Sequence, residues 1–66
     1  MKNLDNQGKQ IDEGDAVKDR HGLAYRVIYI NTLGVAILTM GDKPLQASEC
    51  CSLRILSKHD PEKEDR

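Results

Sequence analysis

The sequence predicts an all-β fold, a small five-stranded barrel held between two polar tails. Three observations lead there. No stretch between chain-breaking residues reaches the roughly 12 residues that an amphipathic helix wants. The runs Leu23–Ile30 and Val35–Met40 are rich in β-branched and aromatic residues and are bounded by glycine-bearing turns. The chain has 66 residues and neither Trp nor Phe, so its core must be thin and drawn from Val, Ile, Leu and Met. Five short strands between residues 11 and 56 cannot make a sandwich of any size. Bending them into a barrel removes their exposed edges.

Each element follows in order. Residues 1–10 are polar and read as a flexible arm. Asp12-Glu13-Gly14-Asp15 is a turn, and Ala16–Asp19 a short strand with Val17 pointing inward. Arg20-His21-Gly22 is a second turn, in which Gly22 supplies a positive φ. Leu23–Ile30 is the strongest strand. Asn31-Thr32-Leu33-Gly34 is a hairpin loop ending in glycine. Val35–Met40 is the next strand, and Gly41–Pro44 breaks the chain. Leu45–Glu49 is a fourth strand, Glu49–Ser52 a single helical turn, and Leu53–Leu56 the last strand. Residues 57–66, SKHDPEKEDR, read as a charged, disordered tail.

Net charge is near zero throughout: +1 over residues 1–10, −1 over 11–56 and −1 over 57–66. Binding to a phosphate backbone runs on surplus Lys and Arg, so nucleic acid is a disfavoured partner. The N-terminal MKNLDNQGKQ lacks an apolar core of the secretory type. No run approaches the roughly 18 apolar residues that cross a bilayer. The expectation is a cytoplasmic protein with no membrane partner.

The two cysteines, Cys50 and Cys51, are adjacent, and neighbouring Cα atoms sit closer than an ordinary disulfide allows. With His21 and His59 they make four potential zinc ligands, but adjacent thiols reach one ion poorly. They are expected to pack as small hydrophobes. No phosphate loop, paired-carboxylate motif or nucleophile elbow is present, so no enzymatic activity, metal or cofactor is expected.

The stretch GDAVKD followed by HGLAYRVIYI resembles the start of an SH3-like barrel of the KOW/Tudor type. There a Gly-Asp turn leads to a short strand, a Gly-containing turn and a long strand. The match lies on Gly14, Asp15, Val17, Gly22, Val27 and Ile30, and SLRIL is similar to the short closing strand of such barrels. The resemblance covers residues 12–56. It implies a binding module for RNA, for peptides or for other copies of itself. The type II dihydrofolate reductases share this barrel, but their Val-Gln-Ile-Tyr strand is absent here, so their activity is not carried over.

Alternate residues of a strand point to opposite faces. In Leu23–Ile30 one face carries Leu23, Tyr25, Val27 and Tyr29, the other Ala24, Arg26, Ile28 and Ile30. In Val35–Met40 one face carries Val35, Ile37 and Thr39, the other Ala36, Leu38 and Met40. Both strands are thus apolar on both faces, although a β-bulge would return Ile30 to the inside. The expected function is protein binding, including self-association, through an apolar patch of Ile28, Tyr29, Leu38 and Met40. The alternative is an RNA- or DNA-associated role through Lys18, Arg20, Tyr25 and Arg26.

Overall fold

Glycine and proline punctuate the chain closely enough that strands, not helices, fit between them. The computed structural model describes residues 3–59. It is all-β, a single five-stranded antiparallel sheet. The strands are β1 (Ala16–Lys18), β2 (Ala24–Ile30), β3 (Val35–Thr39), β4 (Gln46–Glu49) and β5 (Arg54–Ser57). Among the described residues the only helical element is the 3-10 turn Cys50–Ser52 between β4 and β5.

The strand order is β4-β3-β2-β1-β5. Strands β1 to β4 form a meander, and β5 returns to lie beside β1, with Val17 opposite Ile55. The edge strands β4 and β5 do not pair with each other, so the sheet is open and the expected closure into a barrel is absent.

The inner face carries the core: Ile11, Val17, Val27, Ala36, Leu38, Cys50 and Leu53 are buried. Tyr25, Ile30 and Ile55 pack against them. Ile11, Cys50 and Leu53 lie outside the strands and cover inner surface that an open sheet would leave wet. Each such side chain contributes roughly 1.5–3 kcal/mol by leaving water.

Three turns share one construction, and it is written in the sequence as Asp/Asn-x-x-Gly. In each, the first residue's Oδ1 accepts the backbone N–H groups two and four residues on. Asp5 receives Gln7 and Lys9, Asp19 receives His21 and Leu23, and Asn31 receives Leu33 and Val35. The glycine N–H then closes the turn onto the first residue's carbonyl, as Gly8 to Asp5, Gly22 to Asp19 and Gly34 to Asn31. All three glycines have positive φ, which a side chain would resist. The Asp19 and Asn31 turns join β1 to β2 and β2 to β3.

The Asp5 turn lies in the segment expected to be a flexible arm, and residues 3–10 of it make defined contacts in the structure. Leu4 and Gln10 form an antiparallel bridge, and Ile11 enters the core. The segment lies along β5: Asn6 N–H donates to the Leu53 carbonyl, and Ile55 N–H donates to Asp5 Oδ2 at 3.0 Å. Polar side chains hid this docking, because here a carboxylate rather than apolar area holds the segment down. The start of the expected tail is held as well. Ser57 belongs to β5, Lys58 bonds to Asp12 and Asp15, and His59 N–H donates to Asp15. Residues 60–66 of that expected tail lie outside the described residues.

Candidate functional site

The outer face of the sheet is shaped by a bulge in β2. Val27 pairs with Leu38, but the next pairing is Tyr29 with Ile37, so Ile28 is the extra residue. Without the bulge, Ile28 and Tyr29 would point to opposite faces. With it both are exposed, at 45% and 53%, and Ile30 returns to pack on the core. The register continues from Tyr29 to Ile37 and from Ile37 to Ala47. This places one apolar side chain from each of β2, β3 and β4 in a row across the outer face, with Ile28 beside it.

Two of the expected interface residues do not join this row. Leu38 is 1% exposed and belongs to the core, as its pairing with buried Val27 requires. Met40 follows the end of β3 and is half-buried. The sequence placed Leu38 and Met40 in an exposed patch because both faces of β3 are apolar, and Ala36 shares their face. The structure puts Ala36 and Leu38 inside and leaves Val35, Ile37 and Thr39 half-buried on the outer side.

The expected nucleic-acid contacts divide between the faces. Tyr25 packs on the core, and burial together with the neighbouring Asp19 carboxylate pushes its hydroxyl above the ordinary phenol pKa. Arg20 sits exposed in the β1–β2 turn. Lys18 and Arg26 alternate with inward-facing Val17 and Val27 and so lie outside, where Arg26 donates to the Gly14 carbonyl at 2.7 Å. One further cation joins them that sequence reasoning missed. Arg54 of β5 is directly opposite Lys18, and Arg26 lies on the same face. Like charges directly opposed across strands destabilise a sheet. Only the return of β5 to β1 brings residues so distant in sequence together.

Two concavities border the sheet. One, of about 160 Å³, lies between the β1–β2 turn and β4, with Asp19, Tyr25, Gln46, Ser48 and Ser52 around Leu38. The other is a wide, shallow groove of about 960 Å³ under the β2–β3 turn, bordered by Leu4, Leu33 and Cys51.

The carboxylates of Asp5, Asp15 and Asp19 are taken up by architecture. Burial pushes the Asp5 carboxyl up, but the backbone N–H groups of Ile55, Lys9 and Gln7 outweigh it and hold its pKa below the ordinary value. Asp15 is fully buried, and the same contest is won by Lys58 with the N–H groups of Asp12 and His59. Cys50 is buried and its thiol pKa raised by that burial and by Cys51; Cys51 is exposed. Among the described residues no helix is long and apolar enough to cross a membrane. No protein-family model, curated protein or solved structure matches this chain.

Proposed function

We propose that this chain is a small non-catalytic binding module of the SH3-like barrel type, acting through protein–protein contacts on the outer face of its sheet. The β2 bulge carries the reading. It turns two large side chains, Ile28 and Tyr29, outward together and aligns Tyr29 with Ile37 and Ala47. Apolar side chains aligned on one face point to a protein contact more strongly than singly exposed ones. The barrel assignment is supported by the meander, by β5 returning beside β1, and by the 3-10 turn before the last strand. A non-catalytic role agrees with carboxylates committed to backbone N–H groups of turns. The test is capture from lysate with immobilised wild-type chain and with the Ile28→Ser/Tyr29→Ser double variant, each after nuclease. Proteins captured by the wild type and lost with the double variant support the reading. Equal capture by both removes the outer face from it.

A second reading rests on the opposed pair Lys18 and Arg54, with Arg26 on the same face. An acidic ligand such as a nucleic-acid backbone would relieve that repulsion. It requires binding to single-stranded oligonucleotides that weakens steeply with salt and is lost in Lys18→Gln/Arg54→Gln. Absence of binding at low salt removes it.

A further inference from the structure

We infer that β4 is the edge to which a second copy of this chain adds, antiparallel and centred on Ala47, so that two sheets become one. The inference rests on the reading of the chain as a protein-binding module and supplies its partner.

The two edges of the sheet are unlike. At β5 the N-terminal segment takes two outward groups: the Leu53 carbonyl accepts from Asn6, and the Ile55 N–H donates to Asp5. At β4 the ladder phase settles which groups point out. Cys50 N–H donates to the Gly34 carbonyl, and the same register continues as Ala36 opposite Ser48 and Leu38 opposite Gln46. Those pairs exchange hydrogen bonds with β3. The alternate residues, Ala47 and Glu49, therefore turn their N–H and C=O groups away from the sheet. Glu49 is also the N-cap of the 3-10 turn, so its carbonyl takes the first bond of that turn and lies 3.2 Å from the Ser48 hydroxyl. This leaves Ala47 as the strand residue with both groups turned outward. Natural edges are blunted by short length, charged side chains, proline or an inward-pointing charge. Gln46–Glu49 is short and carries one charge, Glu49, on the outer side with Ala47, but it has no lysine, no proline and no inward-pointing charge.

The strand is also complementary to itself. A two-fold axis through Ala47 sets Ala47 against Ala47, Gln46 against Ser48, and Leu45 against Glu49. The only charged side chain then faces an exposed leucine, not its own copy. On the inner side the Gln46 amide meets a serine hydroxyl. On the outer side the row Tyr29–Ile37–Ala47 continues without a break into Ala47–Ile37–Tyr29 of the second copy.

The experiment is sedimentation of the full chain across a concentration series, with two variants. Ala47→Pro removes an N–H that points away from β3, so the β3–β4 ladder is retained. Ala47→Lys sets two cations against each other at the axis. Near-ultraviolet circular dichroism and amide NMR spectra monitor the fold, and Ala47→Lys decides if Ala47→Pro unfolds. The expected result is twice 7.4 kDa for the wild type and 7.4 kDa for folded variants. Wild-type chain that stays monomeric at the highest soluble concentration overturns the inference, and leaves capture of other proteins by Ile28 and Tyr29 as a separate question. A dimer that survives both Ala47 substitutions but dissociates in Ile28→Ser/Tyr29→Ser also overturns it, while the outer-face reading stands.

Discussion

The Lys58 ammonium lies 2.6 Å from Oδ2 of Asp15, a carboxylate with no solvent exposure, and ties the end of β5 to the turn before β1. The same carboxylate accepts the backbone N–H groups of Asp12 and His59. Removing it strands two backbone donors and takes one of the three acceptors of Lys58, which keeps Asp12 and the Gln10 carbonyl. Asp15→Ala is expected to cost about 3 kcal/mol. Lys58 is half-exposed, so Lys58→Ala is expected to cost about 1 kcal/mol. Urea melts of both variants measure the ratio, and equal losses would show that the ion pair rather than the backbone donors dominates.

Acid sensitivity follows from the same chemistry. Asp5 and Asp15 have lowered pKa values in the fold, so their contribution is present above the unfolded carboxyl pKa of about 3.9 and is lost as pH falls through the folded values. Lys58 has a raised pKa, so its contribution is complete below about 10.4 and is lost as pH rises through its folded value. Melting temperature is expected to stay level near neutrality and to fall below about pH 4. The acid limb should flatten in Asp5→Asn/Asp15→Asn, and an unchanged slope would contradict this account.

Leu38 and Ile28 make opposite predictions from similar chemistry. Leu38→Ala empties part of a thin core and is expected to cost about 2–5 kcal/mol. Ile28→Ser and Tyr29→Ser alter exposed side chains and are expected to stay within about 0.5 kcal/mol of the wild type. Chemical denaturation of the three variants separates a core position from a surface one.

The cysteines should differ in reactivity. Cys51 is exposed, whereas Cys50 is buried with a raised pKa. A thiol reagent near neutral pH is expected to label Cys51 at once and Cys50 only as the chain unfolds. Mass spectrometry of the native protein after brief labelling checks this, and rapid double labelling would contradict it.

Much of the architecture is legible in the residues. All five expected strands appear within one residue of their expected bounds, because glycine, proline and Asx residues leave few other places to turn. The facing of β3 is not legible. Ala36 and Leu38 differ little in polarity from Val35 and Ile37, so only pairing with Val27 decides which pair is buried. The bulge at Ile28 leaves no mark of its own in the sequence, yet it sets the outer face. The N-terminal segment was legible by a different rule. Asp5-Asn6-Gln7-Gly8 has the same Asp/Asn-x-x-Gly form as Asp19–Gly22 and Asn31–Gly34, and the latter two stand out because apolar strands flank them. Arg54 was out of reach, since its place beside Lys18 depends on the return of β5.

Asp5 and Asn6 take the Ile55 N–H and the Leu53 carbonyl at β5, so on the inferred pairing the sheet would have a valence of one for strand addition. Objects of valence one can pair but cannot polymerise: joining two copies margin to margin uses up both. Two bare margins would let copies add without end, which is how fibres grow. On that pairing, the contacts of Asp5 and Asn6 at β5 would favour a closed pair over open growth, without touching the surface where the pair would form.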